Sequence, residues 1–343
     1  MPKRALITGV TGQDGAYLAR LLLQKGYSVT GTYRPTSSLN VWRLESLGIA
    51  DHPQLELCEH DLTDLPGCLG LLSQRQPAEV YNLAAQSFVG LSFKQPVATA
   101  QVTALGPLNM LEAIRMVCPK ARFYQASSSE MFGGSRSEAQ DENSEFAPRS
   151  PYAVSKCFAH WATVNYREAY GLFAVSGILF NHESPLRSLA FVTRKVSDAV
   201  ARIKLGVGSP LRIGNLAAER DWGYADEYAD GIWRMLQTDV PENYVLATGK
   251  AHSVRDFVSL SFEAAGLPVI WSGHGTDEVG LDASTGELRV SVDPALYRPV
   301  ELDRVLGNAD LAFERLGWRA KTGLRELCAL MLTADLERLA LPS

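Results

Sequence analysis

Tyr152 and Lys156 stand four residues apart, just after Ser150-Pro151. Proline is favoured in a helix's first turn, so this spacing places both side chains on one helical face. An ammonium beside a phenol stabilises the phenolate and draws its pKa down from about 10, which makes tyrosine a usable acid–base. Tyr and Lys are also ordinary residues of an amphipathic helix, so the pair needs support from elsewhere in the chain. Upstream, Ser127-Ser128-Ser129-Glu130 closes an apolar strand, the end at which open α/β sheets place ligand chemistry. Serines there can equally cap the turn that follows. Near the N-terminus, Gly9, Gly12 and Gly15 are spaced GxxGxxG, with Thr11, Gln13 and Asp14 between them. Such a turn, between a strand and a helix, lets the backbone approach a pyrophosphate while the helix N-terminus supplies N–H donors. The glycines alone are also compatible with a merely tight connection.

The elements around these residues carry the argument further. A short apolar run at Arg4–Thr8 and the alternating pattern of Ser28–Tyr33 read as strands, as do Glu79–Leu83 and Arg122–Ala126. Ala16–Gln24 and Pro96–Met116 carry helical spacing, the latter as one long helix. This alternation predicts βαβ units in an α/β fold, a doubly wound, parallel Rossmann-type sheet. From Asn181 the rhythm loosens, and Ser272–Glu287 reads as a polar surface excursion. The expected organisation is a dinucleotide-binding domain over residues 1–180 and a smaller C-terminal substrate lobe mainly over residues 181–343, with segments able to return to the first domain.

At the end of the second strand a carboxylate would suit a free ribose 2′-OH and an arginine a 2′-phosphate. The chain has Arg34, followed by Pro35-Thr36-Ser37-Ser38. NADP is therefore the expected cofactor, the alternative being a solvated loop arginine.

Thirty-three basic residues against 38 acidic ones leave a net charge of −5, with no general reason to seek nucleic acid or an anionic membrane. No apolar run approaches the roughly 18 residues of a membrane span. The start, Met-Pro-Lys-Arg-Ala-Leu-Ile, leads into a strand and is not expected to be a signal peptide. Five scattered cysteines, with no CxxC spacing, read as reduced thiols in a cytoplasmic protein without a metal site.

In combination these motifs resemble the extended short-chain dehydrogenase/reductase superfamily and, within it, the GDP-mannose 4,6-dehydratases. The resemblance covers nearly the whole chain. It rests on GVTGQDGAYL (9–18), NLAAQS (82–87), SSSEMFG (127–133), SPYAVSK (150–156), FNHESP (180–185), FVTRK (191–195), GNLAAERDWG (214–223) and YRPVE (297–301).

The resemblance implies an internal redox cycle on GDP-mannose that gives GDP-4-keto-6-deoxy-mannose. Tyr152 would take the 4-OH proton, Glu130 the C5 proton, and Ser128 would help the 6-hydroxyl leave as water. Lys156 would hold the nicotinamide ribose, Asp61 and Leu62 would lie near adenine, and Leu83, Ala84, Ala85 and Ser87 would line the ribose path. His182 and Arg187 match cofactor positions, although a histidine in Asn-His-Glu can also be structural. Asn181, Glu183, Lys195, Asn215, Arg220, Arg298 and Glu301 match the GDP-sugar pocket, with Ser87, Glu130 and Tyr152 at its sugar end. Arg220 and Arg298 suit a diphosphate through their guanidinium forks; as surface residues they would pair with Asp221 and Glu301.

Two departures stand out. Ser128 replaces the family's usual threonine, and Pro35-Thr36 replaces its paired arginines, in a loop tied to the 2′-phosphate and to tetramer contacts. The resemblance implies a homodimer or homotetramer. Alternatives are a dehydratase of another GDP-sugar such as GDP-heptose, an epimerase, for which Glu130 has no obvious use, and an NADP-sensing regulator without catalysis.

Overall fold

The computed structural model describes residues 2–35, 38–134, 138–297, 300 and 302–340. Ser37, Arg298 and Glu301 lie outside the described residues.

The first half runs β1 (Arg4–Thr8), α1 (Gln13–Gln24), β2 (Ser28–Tyr33), α2 (Trp42–Ser46), β3 (Leu55–Glu59), α3 (Leu65–Arg75), β4 (Glu79–Asn82), α4 (Val89–Lys94), α5 (Pro96–Ala100), α6 (Gly106–Val117), β5 (Arg122–Ser128), α7 (Pro151–Tyr170) and β6 (Ala174–Leu179). The second half adds β7 (Asn181–Glu183), α8 (Val192–Lys204), β8 (Leu211–Ile213), β9 (Glu219–Tyr224), α9 (Ala225–Met235), β10 (Tyr244–Leu246), β11 (Ala251–Ser253), α10 (Val254–Ala264), β12 (Val269–Ser272), β13 (Val279–Asp282), β14 (Leu288–Val292), β15 (Arg304–Val305), α11 (Asp310–Leu316) and α12 (Leu324–Ala340).

The central sheet has seven strands in the order β10-β6-β5-β4-β1-β2-β3, and each neighbouring pair is parallel. The chain therefore reverses direction between β1 and β4, the switch point at which doubly wound sheets bind ligands. Both faces are covered, in keeping with the apolar run of β1 and the complete burial of β6. On β1, Ala5 and Ile7 pack with Leu18, Leu22 and Ile232 on one side. Leu6 turns to the other, with Val80, Leu111, Ile114 and Phe123. This two-residue alternation is what a strand buried on both faces requires.

Two features depart from the sequence expectations. Between α5 and α6, residues Gln101–Leu105 form a π-helical turn rather than a continuous α-helix. Pro107 sits in the first turn of α6 and has no N–H to return to the preceding turn, so the hydrogen-bond register slips there. Ser272–Glu287 contains β13, which pairs antiparallel with β12 and with β14. Its polar, glycine-containing sequence conceals a strand in a sheet ordered β12-β13-β14-β8.

The second lobe has its own core, in which Val196 and Val200 of α8, Phe257 and Phe262 of α10 and Met331 of α12 are almost fully buried. The chain also returns to the first sheet beyond residue 181: β10 pairs with β6, and Ile232 of α9 joins the core beneath α1. Among the described residues, no helix is long and apolar enough to cross a membrane.

Candidate active site

The glycine turn follows β1 at the switch point. Gly9 has φ +72°, and a Cβ there would stand 2.9 Å from the Ala84 Cα. A Cβ on Gly15 would meet the Val10 Cα at 2.7 Å. Packing within the protein thus excludes side chains at both positions. Gly12 differs, since within 4 Å its Cβ would meet only the Gly9 carbonyl, at 3.2 Å. Gly12 is also the N-cap of α1, with no side-chain cap, and the first N–H groups of that helix have no intrahelical partner. A bare Cα and unpaired donors beside a cleft of about 410 Å³ form a cradle that fits a dinucleotide pyrophosphate.

That cleft is lined by Gly9, Thr11, Gly12, Gln13, Asp14, Gly15, Arg34, Asp61, Leu62, Leu83, Ala84, Ala85, Ser87 and Arg187. All of them were expected from the sequence. Arg43, His60 and Val102 also line it and were not. Asp61 accepts hydrogen bonds from the backbone N–H and hydroxyl of Thr63, at 2.9 and 2.8 Å. The Thr63 N–H is the main reason that its carboxyl lies below the ordinary range, with Arg34 contributing. Arg34 itself is exposed.

Gln13 joins the two halves of the chain. Its amide donates to the His182 carbonyl at 3.1 Å and accepts from the Ser184 hydroxyl at 2.7 Å. His182 lies 3.0 Å from Asp14 and stacks on Tyr228 with ring centroids 4.8 Å apart. Burial works against charge on both groups, yet each offsets this for the other: Asp14 is held well below, and His182 above, its ordinary pKa. His182 therefore has a structural role, whatever it does for a ligand.

The catalytic candidates meet at the end of β5. The Ser128 hydroxyl accepts from the Glu130 N–H at 3.3 Å and so starts the short helix that carries Glu130. Tyr152 and Lys156 lie in the first two turns of α7, which Ser150 caps by accepting from the Ala153 N–H. Ser128 lies close enough to Tyr152 to oppose the effect of burial on its phenol.

The expected lowering of the tyrosine pKa by its lysine is not found. Burial pushes Tyr152 well above its ordinary value, Ser128 opposes this, and the Glu130 charge adds to the rise. The Lys156 ammonium instead donates to the Ala126 carbonyl at 2.6 Å and sits 5.7 Å from the Tyr152 ring centre. Burial lowers its own pKa to about 8. A phenol in a low-dielectric site stays protonated unless a positive charge reaches its oxygen.

A buried polar ladder, missed in the sequence, holds this corner. Leu83 and Ala84 N–H groups donate to the Thr8 hydroxyl, each at 3.2 Å. Thr8 donates to Asn82 at 2.6 Å, Asn82 to Gln125 at 2.8 Å, and Gln125 to the Ala126 carbonyl at 2.9 Å. That carbonyl is the one Lys156 holds. The ladder thus runs across β1, β4 and β5 from the glycine turn to the catalytic lysine. The readable signal is a polar residue, Thr8, Asn82 or Gln125, near the end of each of three apolar strands.

Ser127 stands apart from its neighbours. Its hydroxyl meets that of Ser176 at 2.7 Å, which meets His160 at 2.7 Å, all buried. Burial lowers His160 to a pKa of about 4, so this chain is neutral and structural.

The second-lobe candidates are less concentrated. Asn181 opens β7 and Glu183 closes it. Glu183 is buried, accepting from Thr193 at 2.6 Å and lying 3.0 Å from Arg187. Lys195 is exposed on α8. Asn215 accepts from the Ala217 N–H at 2.9 Å. Arg220 on β9 is nearly buried and donates to the Glu219 and Leu302 carbonyls at 2.8 and 2.6 Å. Asp221 serves Thr248, Gly249 and Gly307 instead of Arg220. Among the described residues no cluster of three His, Cys, Asp or Glu could hold a metal.

The sheet order, the glycine turn and the Ser128–Tyr152–Lys156 corner define a Rossmann-type member of the short-chain dehydrogenase/reductase superfamily. A family profile described as GDP-mannose 4,6 dehydratase matches residues 6–331. The chain is 52% identical over 342 residues to a GDP-mannose 4,6-dehydratase of Sinorhizobium fredii, covering 98% of this chain and 97% of that protein. It is 46% identical to the human GDP-mannose 4,6 dehydratase, covering 97% and 91%. In three dimensions it resembles the Thermus thermophilus UDP-glucose 4-epimerase solved with NAD, at 27% identity and a TM-score of 0.80, covering 98% of this chain and all of the other. The chain belongs to the GDP-mannose 4,6-dehydratase family.

Proposed function

We propose that the protein converts GDP-mannose to GDP-4-keto-6-deoxy-mannose, with loss of water and no net redox change. The observation that carries this reading is the meeting of Ser128, Glu130, Tyr152 and Lys156 at the end of β5, beside the glycine-turn cleft. The family membership supports the choice of sugar nucleotide.

The cleft fits NADP, with Gly9, Gly12 and Gly15 at the pyrophosphate, Asp61 and Leu62 near adenine, Lys156 at the nicotinamide ribose and Arg34 towards a 2′-phosphate. When bound, it would accept a hydride from C4 of the sugar and return it at C6. Tyr152 takes the 4-OH proton as the C4 ketone forms. That ketone acidifies C5–H, and the Glu130 carboxylate removes the C5 proton. The same proton, now on Glu130, leaves with the 6-hydroxyl as water, and Ser128 orients that hydroxyl. As the hydride returns at C6, C5 regains a proton, the solvent-exchangeable one that Tyr152 took from the 4-OH. Ser128 caps the short helix that carries Glu130, so the base at C5 and the hydroxyl that serves C6 stand side by side. Lys156, held on the Ala126 carbonyl, would have to turn its ammonium towards the phenol for Tyr152 to act as base, a movement that binding at the nicotinamide ribose would supply.

The guanosine diphosphate is assigned to the second lobe, at Asn181, Glu183, Lys195, Asn215, Arg220, Arg298 and Glu301. We also propose a homo-oligomer. Val154, Phe158 and Trp161 on α7 are 55%, 43% and 59% exposed and follow helical spacing, an apolar stripe suited to a second copy.

Incubating the protein with GDP-mannose and NADP and weighing the product tests the reading. A product lighter than substrate by one water is expected. Unchanged mass, or loss of water from GDP-heptose alone, would displace GDP-mannose as the substrate.

A further inference from the structure

The cleft holds a cation that neither the sequence reading nor the proposed chemistry uses. Arg43 stands on α2, a short helix pinned by the fully buried Leu44. Its Nε donates to the Leu186 carbonyl at 2.7 Å and its Nη1 to the Thr11 carbonyl at 3.1 Å. Thr11 lies inside the glycine turn, and Leu186 follows β7. One guanidinium therefore spans from the phosphate cradle to the second half of the chain. The Trp42 ring supports it at 4.6 Å and has Arg338 of α12 at 5.4 Å.

A guanidinium has five N–H groups, so three are left after these two bonds, on a side chain that lines the cleft beside Arg34 and Arg187. The surrounding charge is lopsided. Burial, then Arg187, draw the Arg43 pKa down to about 10, Asp14 only partly restores it, and Arg194 adds to the repulsion. The nearby carboxylates have other partners, Asp14 with His182 and Glu183 with Arg187 and Thr193. Cations gathered at the edge of a phosphate cradle, with donors to spare, are completed by an anion.

We propose that Arg43 is a phosphate-binding residue of the dinucleotide cleft, holding the glycine turn to Leu186 with two N–H groups and offering the others to a phosphate of the cofactor. This rests on the reading of the cleft as a dinucleotide site. The phosphate is either the 2′-phosphate or the pyrophosphate.

Calorimetric titration with NADP and with NAD separates them. In Arg43→Gln, which keeps an amide donor and loses the charge, a tenfold or greater loss for NADP alone assigns the 2′-phosphate. Similar tenfold losses for both cofactors assign the pyrophosphate. Arg43→Lys restores charge without the two-carbonyl fork, so it should recover at least half of the lost affinity on a logarithmic scale. Affinities within twofold of wild type in Arg43→Gln, or a loss that lysine leaves unrepaired, would overturn the inference and make Arg43 a strap only. Wild-type protein that bound neither dinucleotide would overturn the functional reading as well.

Discussion

The sheet end that carries Tyr152 and the second lobe assigned to the nucleotide sugar are built on different physical terms. Around Tyr152, every polar group named is buried and bonded: Thr8 to Asn82, Asn82 to Gln125, Gln125 and Lys156 to the Ala126 carbonyl. Parallel strands in fixed register hold those groups, so the reacting corner is preorganised. In the second lobe, Lys195 is exposed, Asn215 among the described residues is bonded within its own loop, and Arg220 donates to backbone carbonyls. Reaction demands fixed geometry and low dielectric. The candidates for ligand choice stand instead on β7, α8 and β9 and in the loop at Asn215, above a separate core.

The comparison breaks first at Tyr152. Tyr152→Phe preserves ring packing and removes the acid–base, so turnover should fall by about 10³-fold or more while GDP-mannose affinity stays within about tenfold. Near-normal turnover in steady-state assays would take Tyr152 out of the mechanism.

Glu130→Gln should lower elimination by about 10²- to 10³-fold. Slow oxidation at C4 can continue, leaving reduced cofactor visible by absorbance. In wild-type enzyme, deuterium placed at C4 should appear at C6 of the product even amid unlabelled free NADPH, and D₂O should label C5. Escape of the C4 label to free cofactor would end the single-site scheme.

The buried lysine gives a pH signature. Its pKa is about 8 in the folded chain against 10.5 ordinarily, so between those values the unfolded chain binds more protons. Stability relative to Lys156→Met should therefore rise as pH climbs from about 8 to 10.5, by roughly 3 kcal/mol at most. Parallel denaturation curves across that range would show that the ammonium is better solvated than its burial implies.

Arg34, exposed and in a loop, should matter least. Arg34→Ala is expected to weaken NADP by about tenfold or less and NAD hardly at all, since an exposed charge pair contributes only about 1 kcal/mol. Equal losses by titration would move the 2′-phosphate contact elsewhere in the cleft.

The strands β1 and β2 were legible to the residue, β1 because two-sided burial writes an apolar run that ends at glycine, β2 because its side chains alternate between more and less buried positions. In the cleft, the glycine turn and Arg34 were legible as local motifs, Asp61, Leu62, Leu83, Ala84, Ala85, Ser87 and Arg187 were expected only through the family resemblance, and Arg43, His60 and Val102 were not expected. Ser272–Glu287 was not, because β13 is short, polar and stabilised by partners distant in sequence. Nor was the π turn at Gln101–Leu105: Pro107 is readable as a missing N–H, but which hydrogen-bond register the preceding turn adopts depends on its packing.

Residue types and spacing alone determined the α/β class, the glycine turn and the Tyr152–Lys156 pair on one helical face, because strand and helix periods reflect each segment's own burial. The roles of Ser128 and Glu130 came from the family resemblance. Tertiary structure decided where charge and hydrogen bonds went. It directed Lys156 to the Ala126 carbonyl, buried Tyr152 enough to raise its pKa, linked Thr8 to Gln125, and brought Arg43 to Thr11 and Leu186. Those outcomes depend on distances between segments tens to more than a hundred residues apart, and on the dielectric their packing creates. Neither quantity is written in local sequence.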